Sequence, residues 1–251
     1  MVKDTLPLSV VIPVYNEGEY IRSTIDSLKK NISFKNEIIV IYDQDQDTTV
    51  PVLEEICLHD ASVKMLKNDV EPGPSGAIRT GISYSSGNNI LVTMADMSDD
   101  HTQINEMLNI MNRGPSIVIP SRYCKGGKQL LNKKSKGYMP RVAGRLLKFL
   151  SGLPTLDPTN SYKLYSRELI SSVNLTSKVS FSVTLELVAK AHCLGLEIKE
   201  IPTTWKDRTQ GKSNFSFIKS MIYYLPWFFL ALLKSRISPI PKKTVAKFIR
   251  K

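Results

Sequence analysis

Residues 9–43 read SVVIPVYNEGEYIRSTIDSLKKNISFKNEIIVIYD. This stretch decides the fold class, because two β-branched runs of strand length flank an amphipathic segment of helix length. Residues 9–15 and 37–43 predict buried strands. The segment between them predicts a helix whose return lays the second strand parallel to the first. The same unit repeats outward. Residues 48–59 predict a helix, 63–68 a short strand, 75–86 a helix, 89–96 a strand, 101–113 a helix and 116–123 a strand. Strands alternating with helices imply an α/β fold with a mostly parallel sheet sandwiched by helices. Ligands of such sheets bind beyond the carboxyl ends of the strands. The polar residues fall there: Tyr15 to Glu17, Asp43 to Asp47, Asp96 to Asp100, and Ser121 to Tyr123.

After residue 124 the pattern changes. Residues 125–141 are rich in glycine and lysine and predict a mobile loop, followed by a helix at 142–150. Residues 157–169 are turn-rich, 179–195 predict a helix capped by Gly195, and 196–205 predict a strand. An aromatic helix with a basic tail begins at residue 213. The chain therefore divides into a catalytic-type unit over 1–212 and an appendage over 213–251.

Charge is distributed unevenly. Residues 1–112 carry 8 basic and 17 acidic side chains, 113–148 carry 10 basic and none acidic, and 205–251 carry 11 basic against 1 acidic. The whole chain of 251 residues has a net charge of +11. An evenly basic nucleic-acid binder does not look like this, and no basic and aromatic residues alternate as a stacking platform would require. Three cysteines without a CxxC pair imply reduced thiols in a cytosolic setting. The apolar stretch near residue 9 is too short for a secretory signal.

The run ILVTMADMSDD (90–100) is the strongest local signal. It delivers Asp96, Asp99 and Asp100 to one sheet edge, and hard oxygen ligands grouped this way suit Mg2+ or Mn2+ bridging a diphosphate. Ser98 or Asp99 would also serve as the N-cap of the next helix. Asp43 is placed to accept from a ribose hydroxyl or a base N–H. GPSGAIRTG (73–81) resembles a phosphate cradle without the spacing of a P-loop, and a tight turn permitting close helix–sheet packing is the alternative. Arg79 is the only basic residue between Glu71 and Asn112, and is expected to pair with an acid.

Seven segments carry a resemblance: VVIPVYNE, EIIVIYDQDQD, GPSGAIRTG, VTMADMSDD, PSRYCKGG, DPTNSYKLYSREL and EIPTTWKDRTQGKSNF. In order and rough spacing they resemble family-2 glycosyltransferases of the GT-A fold, most closely the dolichol-phosphate mannose synthase-like branch, over about residues 8–220. The resemblance implies an inverting sugar transfer from a nucleoside diphosphate sugar, GDP- or UDP-linked, with a divalent metal, Mg2+ or Mn2+, and a polyprenyl phosphate acceptor. Matched position by position, Pro13, Tyr15, Glu17, Asp43, Arg79, Met94, Ala95 and Asp96 form the nucleotide-sugar site. Asp96, Ser98 and Asp99 form the metal site. Asp96, Arg122, Asp157, Glu186, Arg208 and Lys212 carry the chemistry, with Asp157 or Glu186 as base should the acceptor be a hydroxyl. The chain departs from the family pattern at four positions: Tyr42 and Met94 stand where an Asp is usual, Ser98 where Gln is frequent, and Asn214 where a cation is usual. A thioether is a poor ligand for a hard cation. The alternatives are transfer to a glycan or glycolipid hydroxyl, or a weakened sugar-nucleotide-binding paralogue. A nucleotidyltransferase would need a Gly-rich, Lys-containing N-terminal loop that is absent.

Residues 223–233 (YYLPWFFLALL) are too short to span a bilayer, at about 16 Å of helix against about 30 Å of hydrocarbon. Their aromatics, with Lys219, Lys234 and Arg236 alongside, imply an interfacial anchor, or a helix packed on the core. The expected location is the cytoplasmic face of a membrane, peripherally bound, with the basic tail near anionic lipid.

Overall fold

A computed structural model describes residues 6–131, 138–207 and 217–233. The first half follows the alternating pattern: β1 (Leu8–Pro13), α1 (Ile21–Asn31), β2 (Asn36–Tyr42), α2 (Thr49–His59), β3 (Val63–Lys67), α3 (Pro74–Tyr84), β4 (Asn89–Val92), α4 (Ile104–Met111) and β5 (Ile117–Ser121). Then come β6 (Lys128–Leu130), α5 (Tyr138–Ser151), β7 (Lys163–Ser166), α6 (Arg167–Ser172), α7 (Ser182–Leu194), β8 (Ile198–Pro202), β9 (Thr204–Lys206) and α8 (Phe217–Leu233). Seven strands form one sheet in the order β3-β2-β1-β4-β7-β5-β8. All of its pairs are parallel except those of β7, which runs antiparallel to both β4 and β5.

Alternation along β1 sorts the two cores. Val10 and Ile12 face a layer built from Ile21, Ile25 and Leu28 of α1, Leu53 of α2, and Ile104 and Met107 of α4. Val11 faces the opposite layer, with Ala77 and Ile78 of α3, Leu147 of α5, Leu187 of α7, and Tyr224 and Ala231 of α8. α3 lies close on the sheet because Gly81 has no side chain. A Cβ there would stand 2.4 Å from Val11 and 2.6 Å from Ile41, so close packing accounts for this glycine of GPSGAIRTG.

Several elements differ from the sequence expectations. β4 ends at Val92, so Thr93 to Asp96 leave the sheet. The turn-rich segment 157–169 contains β7, an interior strand between β4 and β5. The glycine- and lysine-rich segment holds β6, which pairs with β9 in a second sheet, and α5 starts at Tyr138. The strand expected at 196–205 is therefore two strands in different sheets. Gly195 caps α7 with φ 77°. None of Cys57, Cys124 and Cys193 is in a disulfide.

Candidate active site

The exits of the strands meet at the carboxyl edge. At β1, Pro13 is buried as the last strand residue, Tyr15 is exposed, and Asn16 turns the chain with φ 57°. Asn16 N–H donates to Asp47 Oδ2 (3.0 Å) and Glu17 N–H to Thr49 Oγ1 (2.9 Å). Asp47 Oδ1 also accepts from Thr49 N–H (2.8 Å). The first two exits are thus laced together. Asp47, buried, serves the backbone rather than a ligand.

Asp43 sits at the β2 exit. Its Oδ1 accepts from Asn68 Nδ2 and its Oδ2 from Gly73 N–H, both at 2.7 Å. Gly73, at φ 103°, is the N-cap of α3. One carboxylate therefore holds the turn that opens α3 against the carboxyl edge of the sheet. Arg79, nearly two turns further along α3, forms no ion pair with an acid among the described residues. Its Nη1 donates to the Ser177 carbonyl at 3.3 Å.

The β4 exit folds back on itself. Asp99 Oδ2 accepts from Thr93 Oγ1 (2.9 Å) and Met94 N–H (3.1 Å), and Asp96 Oδ1 accepts from Ser98 N–H (3.2 Å). The Ala95 carbonyl is taken by Thr24 Oγ1 of α1 at 2.6 Å. Asp100, rather than Ser98 or Asp99, caps the following turn through Thr102 N–H. Burial, and next the neighbouring Asp96 charge, push the Asp99 carboxyl up to about 7 against those hydrogen bonds. His101 is buried between Ser27 Oγ (3.0 Å) and Thr93 Oγ1 (3.3 Å), and burial pulls its imidazole down to about 4, so it is neutral.

The β5 exit supplies Arg122. Its Nε and Nη2 each donate to Asp157 at 2.7 Å, and its backbone N–H donates to the same carboxylate at 3.0 Å. Asp157 is 0% exposed. Burial opposes the Arg122 charge, but Asp157 outweighs it and holds the guanidinium more firmly protonated than usual. The guanidinium lies over Tyr123 at 5.0 Å and Trp205 at 5.9 Å. Because β7 runs antiparallel, its first residue, Lys163, begins at this same edge, opposite Val92. Lys163 is fully buried, with Nζ donating to the Asn160 carbonyl. Burial pulls its ammonium down to about 7 against the attraction of Asp157 and Asp99.

Asp96, Asp99, Arg122 and Asp157 thus converge, and Lys163 joins them without having been anticipated. Its only sequence signal was a lysine between Tyr162 and Leu164 in a segment whose turn residues masked the strand. Glu186 stands apart. It is buried on α7 and accepts from Thr176 N–H and Ser177 N–H (both 2.8 Å) and from Lys190 Nζ (2.5 Å). Arg208 and Lys212 lie outside the described residues.

A divalent cation has a plausible donor set here. Asp96 and Asp99 are two carboxylates close enough for one to raise the other, and a cation shared between them would relieve that repulsion. Among the described residues no three His, Cys, Asp or Glu side chains form a metal cluster. Two carboxylates, with diphosphate oxygens and water completing the shell, suit Mg2+ or Mn2+ better than a closed protein cage would.

Residues 9–173 match the model for glycosyl transferase family 2. The chain belongs to this family, in its dolichol-phosphate mannose synthase-like branch. It is 26% identical to a dolichol-phosphate mannosyltransferase of Pyrococcus furiosus over 88% of this chain, and spans 64% of that relative's length. It is 28% identical to an undecaprenyl-phosphate mannosyltransferase of Micrococcus luteus, over 82% of this chain and 86% of that protein. In fold it is similar to glucosyl-3-phosphoglycerate synthase of Mycobacterium tuberculosis, solved in complex with Mn2+, UDP and glucosyl-3-phosphoglycerate. The TM-score is 0.66 at 20% identity, covering 94% of this chain and 81% of that one.

Proposed function

We propose that the chain catalyses inverting transfer of a hexosyl unit from a UDP- or GDP-linked sugar to a polyprenyl phosphate at a membrane surface. The observation that carries this reading is the engagement of the two acids a hydroxyl acceptor would require. A sugar hydroxyl needs a general base, whereas a phosphate monoester oxygen is ionised near neutrality and needs none. Asp157 is gripped bidentately by Arg122, and Glu186 is occupied by two backbone N–H groups and Lys190. Both carboxylates are committed to these partners rather than turned to an acceptor hydroxyl. The edge offers a guanidinium instead: Arg122, held in place by Asp157, spends two of its five side-chain N–H donors on that carboxylate, and the others suit a site where two phosphate-bearing substrates meet. The named activities of the Pyrococcus and Micrococcus relatives point the same way.

In this reading Asp43 holds the α3 turn against the nucleotide, with Tyr15 and Glu17 beside it. Asp96, with Asp99, would hold Mg2+ or Mn2+, which supplies Lewis-acid neutralisation of the departing diphosphate. Arg122 orients the phosphates, and the reaction proceeds by in-line positioning. The exposed aromatic face of α8 rests on the lipid surface from which the acceptor is drawn. Asp96→Ala is expected to abolish transfer from a radiolabelled donor while leaving the circular dichroism spectrum unchanged. Full retained activity would overturn the assignment.

A further inference from the structure

Glu186 and Lys190 lie one helical turn apart on α7, and both are buried. A buried ion pair is costly in desolvation and does not by itself add stability, so the groups it orders are informative. Glu186 spends its carboxylate on the backbone N–H groups of Thr176 and Ser177 and on the Thr176 hydroxyl (3.2 Å). Those residues belong to the irregular segment between α6 and α7. The same segment grips α3 at two points: the Ser177 carbonyl accepts from Arg79, and the Ser180 carbonyl accepts from Ser75 Oγ at 2.7 Å. Ser75 and Arg79 lie one turn apart in α3, directly after the Gly73 turn that Asp43 holds.

The segment is also held from α8. Lys190 Nζ lies 5.1 Å from the centre of the Trp227 ring, a desolvated cation–π contact. One turn before Trp227, Tyr224 is buried in the same core, which fixes α8 beside α7. A continuous route therefore runs from α8 to α3, through Trp227, Lys190, Glu186, Ser177 and Arg79.

We infer that Glu186 and Lys190 are positioning residues that fix the 174–181 segment, and with it Arg79 and the α3 turn, in a geometry that depends on α8 being seated. The inference rests on the reading of the Asp43–Arg79 edge as the donor site. It makes occupancy of that edge sensitive to the helix proposed to meet the membrane.

The test is a titration of the full-length chain with UDP and with GDP by calorimetry, for wild type, Glu186→Gln and Trp227→Leu. Hydrogen exchange of the Thr176 and Ser177 amides is followed in parallel. Both variants are expected to weaken nucleotide binding about fivefold, within the range such relayed effects reach, and to speed exchange at both amides. In steady-state assays they are expected to raise the donor KM more than they lower kcat. A purely structural role predicts a lower melting temperature with unchanged affinity. Trp227→Leu, distant from the nucleotide, keeps the test decisive if Glu186→Gln does not fold. Wild type binding with unchanged affinity in the variants overturns the inference alone. If wild type binds neither nucleotide, the donor reading falls and the inference with it.

Discussion

Arg122 and Asp157 form the most consequential pair at the level of single residues. Each carboxylate oxygen takes one guanidinium N–H at 2.7 Å, and the pair is screened from water by Tyr123 and Trp205. Removing one partner strands the other in a low-dielectric site. Asp157→Asn is therefore expected to cost about 3 kcal/mol in urea unfolding and to abolish transfer, because Arg122 loses its orientation. Loss of activity without loss of stability would mean that Asp157 reacts rather than positions. Asp96 and Asp99 carry the metal expectation. With Met94 in place of a hard ligand, a metal at Asp96 and Asp99 would be held by few protein atoms, so EDTA is expected to remove activity readily and added Mn2+ to restore it. The restoring concentration is expected to fall in Met94→Asp, and an assay of rate against free Mn2+ checks this. Of these residues, Asp96, Asp99, Arg122 and Asp157 were legible from strand-exit position and motif. Lys163 was not, because a lysine argues against a central strand until the charges that accommodate it are known.

At the level of elements, α5 and α8 show how the second half serves the first. α5 packs against the chain just before Asp157 only because Gly144 has no side chain; a Cβ there would stand 2.1 Å from the Leu156 carbonyl. Gly144→Ala is expected to displace the Asp157 segment and to lower transfer more than it lowers helix content, measurable by assay and circular dichroism. α8 spans 17 residues, about 25 Å, with Pro226 inside it. No described helix is long and apolar enough to cross a membrane. Tyr224 and Ala231 of α8 are buried in the main core, while Phe229 is 60% exposed. One face is thus committed to the protein and another is exposed. Phe229→Glu is expected to reduce co-flotation with anionic vesicles without altering the melting temperature; unchanged flotation would remove α8 from the membrane contact. The sequence showed an aromatic helix here, but periodicity alone could not say which face the core takes. β7 escaped notice for a related reason. Its four residues carry too short a pattern to outweigh the flanking Pro158, Asn160 and Ser161.

For the whole molecule, the parallel half of the fold was legible because βαβ units are local and their strands are dominated by apolar, β-branched residues. The antiparallel insertion of β7 between β4 and β5 depends on long-range pairing that no local pattern encodes. The uneven charge has a physical division as well. Acids crowd the donor edge, and the basic 113–148 segment leads from Arg122 into α5. The opposite, amino-terminal edge of the sheet is pinned by Glu37, which accepts from Ser9 Oγ (2.6 Å), from Ser86 N–H (2.7 Å) and from Lys64 Nζ (2.7 Å). Burial would raise its carboxyl, but these bonds together hold it at about 2. Because the folded value lies below the unfolded one, this stabilisation is complete above about pH 4.5 and is lost as pH falls towards 2. It amounts to roughly 2–3 kcal/mol. Urea unfolding at pH 6 and pH 3 is expected to show the loss, and Glu37→Gln to show less of it.

The central claim is that the acceptor is an ionised lipid phosphate. The most direct measurement offers radiolabelled UDP- and GDP-hexoses, with Mg2+ or Mn2+, to the full-length chain together with a short-chain polyprenyl phosphate or the matching polyprenol. Label is expected in the phosphorylated lipid and not in the alcohol. Equal or greater transfer to the alcohol would contradict the claim and restore the need for a base.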